Sequence, residues 1–143
     1  MDEARRGRRL LHNILAAHLG AWCLTFLLKE QMATPALTFQ LLAWVLAPLG
    51  LVRAARQGRG WARWLFAAFL VFHALGNVLG LMMWFRVPAR SNEDTEKFFI
   101  SGIFAVLYIA STAVVVLSPA VGRAVASGKS ARSPRPENRA RPS

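Results

Sequence analysis

Apolar positions in this chain gather into long uninterrupted runs separated by short basic connections. Four stretches, 10–28, 36–52, 64–85 and 98–117, contain no Asp, Glu, Lys or Arg. A helix rises 1.5 Å per residue and about 20 residues cross a hydrocarbon layer of roughly 30 Å, so each run is long enough to span a bilayer. Strict alternation of apolar and polar positions is missing, and an open sheet in lipid would strand its backbone groups. The pattern predicts an all-α, polytopic membrane protein: four transmembrane helices in an up-down-up-down bundle, N-in and C-in. A basic cytoplasmic N-terminus would occupy 1–9, the transmembrane domain 10–121, and a disordered basic cytoplasmic tail 122–143.

Composition sharpens this picture. The 143 residues are 55% hydrophobic and 17% charged, yet carry a formal net charge of +11. Soluble domains average about 25% charged residues, so a low charge content with a large imbalance means that the charges are segregated. An ordinary soluble enzyme domain, a disulfide scaffold and a disordered basic protein are all excluded. Cys23 stands alone inside the first run, which forbids an intramolecular disulfide and offers no zinc or iron–sulfur spacing. Arg5, Arg6, Arg8 and Arg9 before an apolar run suggest a signal peptide. The run is too long for one and is interrupted by His12, Asn13 and His18, so it reads as a retained helix.

The distribution of Lys and Arg sets the orientation, because short cytoplasmic loops hold an excess of them. Fourteen flank one side, in the N-terminus, the connection around Arg53, Arg56, Arg59 and Arg63, and the tail; four flank the other, at Lys29, Arg86, Arg90 and Lys97. A multi-pass protein of a bacterial inner membrane is expected, with both termini cytoplasmic. An even number of spans agrees independently. Thr34–Pro35, Gly58 with Gly60, and Pro88 with Ser91–Asn92 supply turn chemistry in the connections, and Pro48 reads as a tolerated membrane proline.

Arg59, Trp61, Arg63 and Trp64 form an expected interfacial anchor, since an indole has one polar edge and an apolar body. The tail from Ser127 is rich in Ser, Arg and Pro and suits contact with anionic headgroups of the lipid bilayer. It lacks aromatic residues to stack on bases, so nucleic acid is not an expected partner.

Candidate chemistry is sparse. No carboxylate lies inside any of the four runs, which weighs against a proton-coupled pump, and no Ser/His/Asp constellation is present. On a helical wheel His73, Gly76, Asn77 and Gly80 share a stripe of the third run, with the Gly76–Gly80 spacing suited to close helix approach. Ser101, Ala105, Tyr108 and Thr112 form a matching face on the fourth run, and Gln40, Ala43, Ala47 and Gly50 one on the second. All three faces are expected to point inward. His18, His73 and Tyr108 lie close to the midpoints of their runs and so share one depth. They are expected to form a hydrogen-bonded layer; the sharper alternative is that His18 and His73 ligate a cofactor, haem b, in a redox protein. The leading functional expectation is non-enzymatic: a small protein acting through helix packing with itself, as a homo-oligomer, or with another membrane protein. An immunity-type protein against a membrane toxin and a transporter subunit are the remaining alternatives.

Overall fold

A computed structural model of the chain describes residues 2–28, 35–86 and 92–130. These form five α-helices with no strand among the described residues: α1 (Asp2–Leu28), α2 (Pro35–Arg56), α3 (Gly60–Trp84), α4 (Asn92–Leu117) and α5 (Pro119–Ser130). Among the described residues, two helices are long and apolar enough to cross a membrane, α3 and the Phe98–Leu117 part of α4. Each of the first four helices begins before its apolar run. The basic residues 5–9 belong to α1, Arg53 and Arg56 form the last turn of α2, and Trp61 to Trp64 open α3 rather than sitting in a loop. Positive side chains at the C-terminal end of α2 favour that extension, because the helix dipole is negative there.

The core is built from one stripe per helix. Leu11, Ile14, Leu15, His18 and Ala21 are buried on α1, at spacings of three and four residues that keep them on a single face. Phe66, Leu70 and Ala74 answer them from α3, Val52 from α2, and Ala105, Tyr108, Ser111 and Val115 from α4. The outer wall is apolar as well: Leu65, Phe72, Leu75, Leu79, Met82 and Met83 of α3 are exposed, as are Phe99, Ile103, Val106 and Ile109 of α4.

The tail expected to be disordered from 122 is instead helical as far as Ser130; positions 131–143 lie outside the described residues. The reason is an apolar stripe of small side chains. Ala120, Val121, Ala124 and Val125 are buried, against the first turns of α1 and the end of α2. Gly7 is indispensable to that approach, since a Cβ there would run into the backbone of Ala120. At the other end of α5 the chain passes backbone to backbone over the α2–α3 turn. Gly58 has φ of 83°, a conformation that suits glycine, and a Cβ on it would strike Lys129; a Cβ on Gly128 would strike the Arg56 carbonyl. Polar contacts bind the same end: Glu3 pairs with Arg123, Arg8 donates to Ser127 at 3.3 Å, and Arg56 donates to His12 Nε2 at 2.8 Å. The start of α1, the end of α2, the start of α3, the end of α4 and all of α5 therefore meet at one basic pole.

Of the faces expected to point inward, that of α2 does not, and that of α3 does so only in part: His73 and Asn77 are half-buried, whereas Gly76 turns outward. Gly76 is exposed, with nothing within 4 Å of the position a Cβ would take, and Gly80 meets only Ser101 Oγ, at 3.7 Å. The buried residues of α3 centre on Leu70, which puts Gly76 about 120° away around the helix at 100° per residue. On α2, Ala43, Ala47 and Gly50 are exposed, while Pro48, Val52 and Ala55 are buried; the Gln40 side chain lies outside the described residues. The rotation turns Trp44 inward, where its large ring fills space that small residues would leave empty. The face of α4 does turn inward as expected, with Ala105 and Tyr108 buried and Ser101 and Thr112 half-buried.

Candidate functional site

Depth along each helix brings His18 of α1, His73 of α3 and Tyr108 of α4 together in the middle of the bundle. The ring centres of His18 and His73 lie 5.1 Å apart, and Tyr108 lies 5.6 Å from His18 and 5.0 Å from His73, stacked on the latter. Further rings close the layer. Phe69 meets His18 edge-on at 5.1 Å and His73 at 4.7 Å, and Trp44 of α2 meets His73 at 4.5 Å. Trp44 is itself stacked between Trp22 and Phe72, at 5.8 and 6.0 Å. Four helices thus contribute to a single aromatic box.

One hydrogen bond gives this box a defined chemistry. Pro48 has no N–H, so the carbonyl four residues earlier, that of Trp44, loses its intrahelical donor. His18 Nε2 reaches that carbonyl at 3.3 Å. A carbonyl oxygen only accepts, so Nε2 carries the proton and Nδ1 is left as a bare lone pair. His18 is 1% exposed, and its Nδ1 has no hydrogen-bond partner; the buried Nε2 of His73 has none either. The expected hydrogen-bonded layer is therefore a layer of ring contacts in which two imidazole nitrogens stay unpaired. Asn77 and Thr112 do not reach across to them: each donates to its own helix, Asn77 to the His73 carbonyl and Thr112 to that of Tyr108, both at 2.8 Å.

The box does not fit haem. Two axial imidazoles bind from opposite faces of a macrocycle, which with metal–nitrogen bonds of about 2 Å holds their ring centres about 6 Å apart across an open slot. Here the centres are closer, and the rings of Trp44, Phe69 and Tyr108 already pack against His73.

The same proline logic explains a second buried contact, which the sequence reading assigned to an interfacial anchor. Pro119 deprives the Val115 carbonyl of its donor at the break between α4 and α5. Arg63 of α3 supplies it, donating through Nε to Val115 at 2.8 Å and through a terminal nitrogen to Val116 at 2.6 Å. Arg63 also lies 5.6 Å from the Trp64 ring centre, whereas Trp61, Trp64 and Arg59 are exposed. A proline four residues after a carbonyl is the signal that locates both contacts, although not the donor that answers it. Compared with known protein families, with curated proteins and with solved structures, the chain matches none.

Proposed function

We propose that this chain is a four-span protein of a bacterial inner membrane, both termini cytoplasmic, that works without catalysis by packing α3 against another transmembrane helix. The observation that carries this reading is the uncovered Gly76 face. Gly76 lies open among exposed Phe72, Leu75 and Leu79, a flat patch in an otherwise knobbly apolar wall. Lipid tails are as apolar as leucine, so helices in a bilayer associate where small residues let backbones approach. The basic pole supports the orientation, because the connections richest in Arg converge there and α3 and α4 lead away from it.

Cysteine crosslinking in native membranes tests the proposal. In a Cys23→Ser background, Gly76→Cys should give an oxidant-dependent adduct, at twice the chain mass if the neighbour is a second copy. A cysteine in place of Ala74, which is buried, should give none. Absence of any adduct from Gly76→Cys would place that face against lipid and end the packing proposal.

A further inference from the structure

We infer that the seam between the start of α1 and the end of α2 binds the phosphate of an anionic glycerophospholipid, with one acyl chain lying along α2. Four exposed residues of α2, Leu46, Leu49, Arg53 and Arg56, follow one another at spacings of three, four and three, so they form a single stripe. The order along that stripe is two apolar side chains and then two cations. Leu46 and Arg56 are ten residues apart, which is about 15 Å of helix. A phospholipid standing beside α2 has the same order of chemistry, hydrocarbon first and phosphate beyond it. The inference shares with the proposed function the placement in a membrane, and is independent of the α3 contact.

The start of α1 completes the headgroup end. Arg5, Arg9 and His12 are exposed and recur at spacings of four and three residues, on one side of that helix. His12 Nε2 accepts from Arg56 at 2.8 Å, which joins this side of α1 to the stripe of α2. A ring nitrogen that accepts belongs to a neutral imidazole, so the contact holds Arg56 in place without cancelling its charge. It takes one N–H of a guanidinium that has five. Carboxylates do not balance these cations: segments 2–12, 53–63 and 119–130 hold ten Lys and Arg against Asp2 and Glu3, and Glu3 pairs with Arg123. Phosphate suits them, because a guanidinium binds two of its oxygens at once. Polyanions without hydrocarbon, such as nucleic acid, would leave Leu46 and Leu49 uncovered, so the stripe favours lipid.

Native mass spectrometry of the full chain in detergent tests the site, with phosphatidylglycerol or phosphatidylcholine of the same acyl chains added at equal concentration. Phosphatidylglycerol should be retained at least tenfold over phosphatidylcholine. Each arginine near an anionic surface strengthens association about fivefold, so Arg53→Gln combined with Arg56→Gln should lower retention of phosphatidylglycerol at least tenfold. Arg6→Gln combined with Arg86→Gln removes the same charge away from the seam, since Arg6 lies about 120° around α1 from His12 and Arg86 follows the far end of α3. That pair should lower retention by no more than about threefold. Inorganic phosphate at the lipid's concentration should not displace it, having no hydrocarbon to lay along Leu46 and Leu49. Should the seam variant fail to fold, photolabelling of the unsubstituted chain decides, because phosphatidylglycerol with a diazirine on its acyl chain should label α2 between Leu46 and Leu49. Equal loss in the two paired variants, displacement by phosphate, or absence of label from that stretch would overturn the site. Equal retention of both lipids by a folded chain would overturn it and leave the membrane placement standing. A chain that stays folded without detergent and retains neither lipid would overturn both.

Discussion

Two prolines each release one carbonyl, and one side chain from a different helix takes it up in each case. Val115 loses the N–H that residue 119 would donate, and Arg63 replaces it; Trp44 loses that of residue 48, and His18 replaces it. The first pair yields a quantitative expectation. Hydrogen bonds from a charged donor contribute about 1.5–3 kcal/mol, so Arg63→Met should lower the stability of the detergent-solubilised protein by about that amount. In a Pro119→Ala background the restored N–H can donate to Val115, and the cost of Arg63→Met should fall by about half. Thermal unfolding of the four combinations measures the coupling; equal losses in both backgrounds would show that Arg63 does not act through the proline gap. Residue-level chemistry of this kind was only half legible in the sequence. Pro48 and Pro119 mark the orphaned carbonyls, but their partners lie 26 and 52 residues away, and spacing along the chain does not tell which donor folds back to them.

At the level of helices, depth was readable and rotation was not. Counting 1.5 Å per residue from the ends of three apolar runs placed His18, His73 and Tyr108 at one height, and their rings meet there. Which face of α2 and α3 turns inward depends on how bulky rings share the interior, and Trp44 won over the small-residue stripe of Ala43, Ala47 and Gly50. The helix α5 was hidden for another reason. Its buried side chains are alanine and valine set among Ser, Gly and basic residues, a composition that reads as tail until a partner covers it. The contact that stabilises it is open to test. Gly7→Leu places a side chain where the Ala120 backbone now passes, and overpacking of that kind costs about 1–3 kcal/mol. Amide exchange should quicken in residues 3–11 and throughout α5, with the midsections of α3 and α4 unchanged. Unaltered exchange in α5 would show that it does not depend on α1.

Across the whole molecule, charge and apolarity are sorted to opposite tasks: an apolar wall around the middle, and one basic pole where four helix ends converge with α5. The proposed arrangement of four spans predicts where reporter domains active only in the cytoplasm will work. Fusions after Gly58 and Ser130 should give signal, and fusions after Pro35 and Asn92 should not. Signal after Asn92 would overturn the orientation. Replacing Arg53, Arg56, Arg59 and Arg63 together should mix the two outcomes, because the bias is summed over short loops. The docking of α5 on α1 also dictates an order of assembly. Arg8 and Ser127 are 119 positions apart, so the basic pole joins the earliest and the latest described parts of the chain, while synthesis proceeds from the N-terminus. In the proposed four-span arrangement, each spanning segment must consequently be delivered and oriented before the pole can close. Nascent chains interrupted near Leu117 would be inserted but unsealed, with the Gly7 face of α1 bare, and quality-control proteases would meet an open helix bundle rather than a finished one.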